Sequence, residues 1–136
     1  MLSFDSDHQS EYFAAMSAIL VVTTVGDEEQ GNLIARELLI RRHAACVNML
    51  TGVKSLYRWK GKICRDSEYL LIIKTLESEY DAVASTILEL HSYELPEILA
   101  FNISKGEPNF LDWIASGLDK EADFENEEDM PDLDDL

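Results

Sequence analysis

Two long runs of strand-forming residues meet at a single tight turn, and few folds accommodate such a pair. The first run resumes at Val53 and reaches Trp59; Lys60-Gly61-Lys62 supplies the turn; the second run extends from Ile63 to Thr75. Side chains alternate along a strand, so Tyr69, Leu71 and Ile73 face one way while Leu70 and Ile72 face the other. Both faces of this strand are apolar, and both therefore need cover. A lone hairpin cannot supply it.

The flanking sequence completes the architecture. Ala18 to Val25 is rich in β-branched residues and reads as a first strand, closed by Gly26-Asp27. Asp27 is a good N-cap, with Gln30 placed as its capping-box partner, for a first helix from Glu28 to about Arg42. Ile34 and Leu38, flanked by Leu33, Leu39 and Ile40, give that helix a broad buried stripe, and Arg41, Arg42 and His43 suit its last turn. A second strand begins at Ala45, with a bulge or bend at Thr51-Gly52 before Val53. Glu77 to His91 is a second helix, its stripe formed by Tyr80, Val83, Ala84, Ile87 and His91. Ser92 to Pro96 breaks it, Glu97 to Ser104 is a fourth strand, and Pro108 opens a short final helix carrying Leu111, Ile114 and Leu118 on one face. The order β-α-β-β-α-β plus a terminal helix is that of a ferredoxin-like α/β plait in the α+β class. Both main helices of a plait lie on one face of its sheet. The second face then needs another copy of the chain, so oligomerisation follows from the pattern alone.

With 136 residues, the chain suggests a single domain. We expect residues 18–118 to form it, between a loosely attached arm over 1–17 and an acidic disordered tail over 119–136. The formal net charge is −16, and most of the excess lies in that tail. Such a charge repels phosphate, so nucleic acid and anionic membrane surfaces are poor partners. No apolar run approaches the roughly twenty residues of a membrane span, and Asp5 and Asp7 stand where a secretory leader carries positive charge. A cytoplasmic protein is expected. Cys46 and Cys64 match no zinc-knuckle spacing and are expected to be thiols.

Six blocks, in order, carry a resemblance to a known family. They are Val21-Val22-Thr23-Thr24 before Asp27-Glu28; Ala44-Ala45-Cys46-Val47-Asn48; Ser55 to Lys62; Leu71 to Thr75; His91-Ser92-Tyr93-Glu94-Leu95-Pro96-Glu97-Ile98; and Phe110-Leu111-Asp112-Trp113. Together they resemble the CutA family of divalent-cation tolerance proteins over about Ile19 to Leu118. The resemblance implies the same plait, a tightly intertwined homotrimer and an architecture similar to the signal-transducing PII proteins. It also implies binding of copper or another divalent cation, and no reaction.

On that footing His91 and Cys46 are the candidate metal ligands, because imidazole and thiolate both suit copper. One metal-binding pattern in the family pairs two adjacent histidines with a cysteine at the end of the first strand; here those places hold Leu90 and Thr23, so copper binding is expected to be weak. The alternatives are a histidine that caps the second helix and a cysteine that fills the core. Trp59, Lys74, Tyr93 and Glu94 are implied to line ligand clefts between subunits, with Glu94 either a hard ligand or the ion-pair partner of Lys74. The leading function is thus a non-enzymatic trimer that binds a metal ion or small ligand. A PII-like regulator and a hydrolase with Cys46 as nucleophile and His91 as base are the other readings. The sequence has no nucleophile elbow, phosphate loop or zinc-protease motif to support the last.

Overall fold

The computed structural model describes residues 17–120. The expected arm and tail therefore fall outside the described residues, apart from Ser17, Asp119 and Lys120.

Strand β1 (Ala18–Val25) leads to helix α1 (Glu28–Ile40), then to the long strands β2 (Cys46–Trp59) and β3 (Lys62–Leu76). A single 3-10 turn over Glu77–Glu79 precedes α2 (Tyr80–Leu90), after which come a short β4 (Leu99–Asn102) and α3 (Pro108–Gly117). The four strands form one sheet in the order β2-β3-β1-β4, antiparallel throughout. This is the ferredoxin-like plait that the element order implies.

Local chemistry sets the boundaries. Asp27 Oδ1 accepts the backbone N–H of Gln30 at 2.7 Å, the first half of a capping box. The second half is not made, because the Gln30 side chain is used elsewhere. Helix α1 stops at Ile40, two residues before the expected end: Arg42 adopts φ 59°, and the N–H groups of Arg42 and His43 turn back to Leu39 and Leu38. Between β2 and β3, Lys60 and Gly61 both take positive φ (50° and 78°), the signature of a type I′ turn matched to strand twist. Gly52, at φ 75°, marks the bulge where the register shifts between Leu50 and Val53. Strand β4 is shorter than expected at both ends.

The two faces of the sheet differ. On one, Ile19, Val21, Val25, Leu71 and Ile73 are fully buried against Ile34 and Leu38 of α1 and Val83 and Ile87 of α2. Helix α1 comes close enough that a side chain at Gly31 would lie 2.7 Å from the Met49 sulfur. On the other face, α3 covers one corner only: Ile114 and Leu118 pack on Leu76, with Ala18 and Ala45 alongside. Beyond that corner, register and alternation place Leu20, Val22, Leu50, Leu70, Ile72, Leu99 and Phe101 together. Leu50, Leu99 and Phe101 are 45%, 49% and 53% exposed, so nothing among the described residues covers this strip. The expectation that another copy of the chain would cover this whole face is corrected at the corner that α3 covers.

Candidate functional site

The β2–β3 hairpin outruns the sheet. The last pairing of β1 with β3 is Val25 with Tyr69, whereas β2 and β3 stay paired to Trp59 and Lys62. An arm therefore projects past the third strand, with Leu56 and Ile63 about 70% and 69% exposed near its tip. On one face of the arm, alternation groups Tyr57 and Trp59 with Asp66 and Glu68, and this face continues the uncovered apolar strip.

The segment after α2 folds against the base of the arm. Gln30, released from the capping box, fastens it: its Nε2 donates to the carbonyl of Leu90 at 3.1 Å, and its Oε1 accepts the N–H of Ser92 at 3.1 Å. One side chain of α1 thus satisfies both the last turn of α2 and the second residue beyond it.

His91 is the C-cap of α2 and is committed at both ring nitrogens. Nε2 lies 2.7 Å from the carbonyl oxygen of Thr24, which can only accept, so Nε2 carries the proton. Nδ1 lies 3.0 Å from the N–H of Tyr93, which can only donate, so Nδ1 is bare. The ring is a neutral brace between β1 and the segment after α2. Tyr93 leans on it with ring centroids 4.6 Å apart and sends its hydroxyl to Glu68 Oε2 at 2.8 Å. Gly26 leaves room for that hydroxyl, since a Cβ there would sit 3.1 Å from it.

Together the arm and this segment enclose an open groove of about 830 Å³. Trp59, Tyr93 and Glu94, three of the four cleft residues named from the sequence, line it, as do Tyr57, Asp66 and Glu68. Burial, followed by the hydrogen bond to Glu68, raises the Tyr93 phenol well above its ordinary range. The hydrogen bond from Tyr57 to Asp66, and then burial, push Tyr57 up to about 12. Both phenols therefore stay protonated at neutral pH and donate to the two carboxylates. Lys74 lies elsewhere: its ammonium sits over the Phe110 ring of α3, 5.6 Å from the centroid. Among the described residues it forms no ion pair with Glu94.

Cys46 is half-buried, its sulfur 3.8 Å from Asn48 Oδ1, and lies opposite Lys74. Thr24, which holds His91, belongs to the Leu70 level of the sheet. Four residues of β3 separate the two levels, about 13 Å along the strand. Within one subunit Cys46 and His91 do not meet, either as nucleophile and base or as two ligands of one ion. Glu68, Asp66 and Tyr57 went unnoticed in the sequence. Their signal was the continuation, with acids, of the alternate positions that Leu70 and Ile72 fill with apolar side chains.

The model of the CutA1 divalent ion tolerance protein family matches residues 19–117, nearly all of the described residues. The chain belongs to that family. It is 40% identical over 95 residues to the divalent-cation tolerance protein CutA of Thermus thermophilus, covering 70% of this chain and 92% of the relative. It is also 40% identical over 97 residues to the chloroplastic CutA 1 of rice, covering 71% of this chain but only 55% of that longer protein. Among solved structures, CutA from Xylella fastidiosa superposes with a TM-score of 0.74 at 39% identity, covering 76% of this chain and 99% of that one. CutA1 from Oryza sativa gives 0.75 at 36%, covering 79% and 99%. Relatives in this family carry names that place them in different compartments, one chloroplastic and another, from Archaeoglobus fulgidus, periplasmic. In this chain no described helix is long and apolar enough to cross a membrane.

Set against the CutA ligand pattern, the donor groups of one subunit do not fit a soft metal ion. Both His91 nitrogens are spent on the backbone. Thr23, in place of a cysteine, is fully buried with its hydroxyl unpartnered, and Leu90 packs on the core. No three His, Cys, Asp or Glu side chains converge among the described residues.

Proposed function

We propose that this CutA chain acts as a cytoplasmic homotrimer that binds a small ligand and performs no reaction, with the groove at the base of the hairpin arm as its binding place. The observation that carries this reading is the apolar strip from Leu20 to Phe101, which nothing among the described residues covers and which runs directly into the groove. Covering the strip with a neighbouring subunit would remove a large apolar surface from water and would wall the groove on its open side. The segments 1–17 and 119–136 flank this assembly as an arm and an acidic tail. Participation in divalent-cation tolerance follows from family membership, and no step is assigned to copper, because the donors of one subunit do not hold it.

Light scattering on the purified protein tests the assembly: the expected mass is three times the 15.4 kDa chain. A stable single chain at micromolar concentration would remove the basis for the reading. Copper titration is expected to give weak binding that changes little in His91→Ala; tight binding lost in that variant would restore His91 as a ligand.

A further inference from the structure

We propose that the groove selects an organic ammonium ion, a cation with carbon substituents, over a bare metal ion. The inference rests on the groove being a ligand site, and it follows from the chemistry of the wall. Tyr57, Trp59 and Tyr93 bring aromatic rings to it, and Asp66, Glu68, Glu94 and Glu97 bring four carboxylates. Lys54 and Arg58 also border it, but by alternation they occupy the opposite face of the hairpin from Tyr57 and Trp59. The wall is therefore net negative on the side where the rings stand.

Glu68 is the central group. It is only 8% exposed, yet among the described residues its one hydrogen-bond partner is the Tyr93 hydroxyl, at one oxygen. An anion held so deep, with a neutral donor on one side only, favours a cation placed beside it. A bare divalent ion would need three or more converging donors, which the described residues do not offer. A substituted ammonium needs something different: an anion nearby and aromatic faces to take the place of water around its carbon atoms. The chain already makes such a contact at the groove. The ammonium of Lys60 lies 5.6 Å from the centroid of the Trp59 ring, so the ring already accepts such a cation. Lys60 is thus a built-in competitor for one ring of the groove.

The test is calorimetric titration of the full-length protein with tetramethylammonium chloride, ionic strength held constant with potassium chloride. Potassium matches the charge but lacks the methyl surface, so exposed carboxylates elsewhere in the chain do not distinguish the two. Saturable heat is expected. It should weaken about tenfold in Trp59→Leu and in Glu68→Gln, be largely restored in Trp59→Phe, and strengthen a few-fold in Lys60→Ala. Melting temperature and light-scattering mass are measured on each variant, so that a misfolded protein is not read as a lost site. Absence of saturable heat from a correctly assembled protein would overturn the ammonium assignment alone. Binding that is equal in wild type, Trp59→Leu and Glu68→Gln would overturn it too. A monomeric mass would instead overturn the assembly on which the site depends.

Discussion

The two faces of one sheet obey the same alternation and meet different fates. On the helix face, Leu71 and Ile73 of β3 are fully buried by α1 and α2. One residue away, Leu70 and Ile72 are equally apolar and only half-buried. Hydrophobicity alone cannot tell the faces apart; what differs is that α1 and α2 lie on one of them, while among the described residues α3 covers only a corner of the other. A substitution on the first face should be felt by folding, and one on the second by assembly.

The largest expected effect tests that division directly. Ile73→Asp puts an unpaired carboxylate among fully buried side chains, and should cost several kcal/mol and unfold the chain in a thermal melt. Ile72→Asp should leave a folded protein whose light-scattering mass falls to about one chain. If both variants unfold, or if Ile72→Asp keeps the oligomeric mass, the faces do not divide the labour in this way.

His91→Ala comes next. It removes the bonds to Thr24 and Tyr93, each contributing roughly 1 kcal/mol net, so about 2 kcal/mol of stability should be lost. Amide exchange at Tyr93 should accelerate well beyond that of the α2 core, because its acceptor is gone. Exchange that stays slow would show that Gln30 alone holds the segment. A smaller effect, of opposite sign, is expected at Thr23, whose buried hydroxyl has no partner. Thr23→Val should raise stability by about 1 kcal/mol in denaturant melts, since it removes an unpaired polar group at nearly constant volume.

The smallest effect is confined to alkaline pH and to the groove end of the second face. Tyr57 titrates at about 12, against an ordinary 10, because it donates to Asp66. A raised pKa means that the folded state holds the proton longer. The resulting stability is fully present below pH 10 and is lost as pH rises through 12. Phenolate absorbance should therefore show Tyr57 ionising late, and Tyr57→Phe should remove its share of the late absorbance while leaving that of Tyr93, which is also raised. In Asp66→Ala the Tyr57 share should move back toward the ordinary range; a share that stays late would mean that the Asp66 bond does not set the titration.

Much of this was written in local pattern. The period-two runs of β1 and β3, the Lys60-Gly61 turn and the Gly52 bulge depend on a few neighbouring residues, and all three appear where the pattern puts them. The end of α1 and both ends of β4 were misjudged, since Arg42 can adopt a left-handed conformation that its helix propensity does not reveal. Gln30 illustrates the same limit: its spacing from Asp27 is that of a capping box, but a partner sixty residues away claims its amide.

By itself, the sequence determined the plait, its strand alternation and the apolar side chains on both faces of its sheet. These follow from periodicity and turn chemistry, which act over a handful of residues. Only the tertiary structure decided what the marked residues do. It bonded His91 to two backbone groups, drew Tyr93 onto Glu68, sent Lys74 to Phe110 and kept Cys46 far from His91. Most of those outcomes depend on which distant segments the fold brings into contact, and spacing along a chain carries no such information.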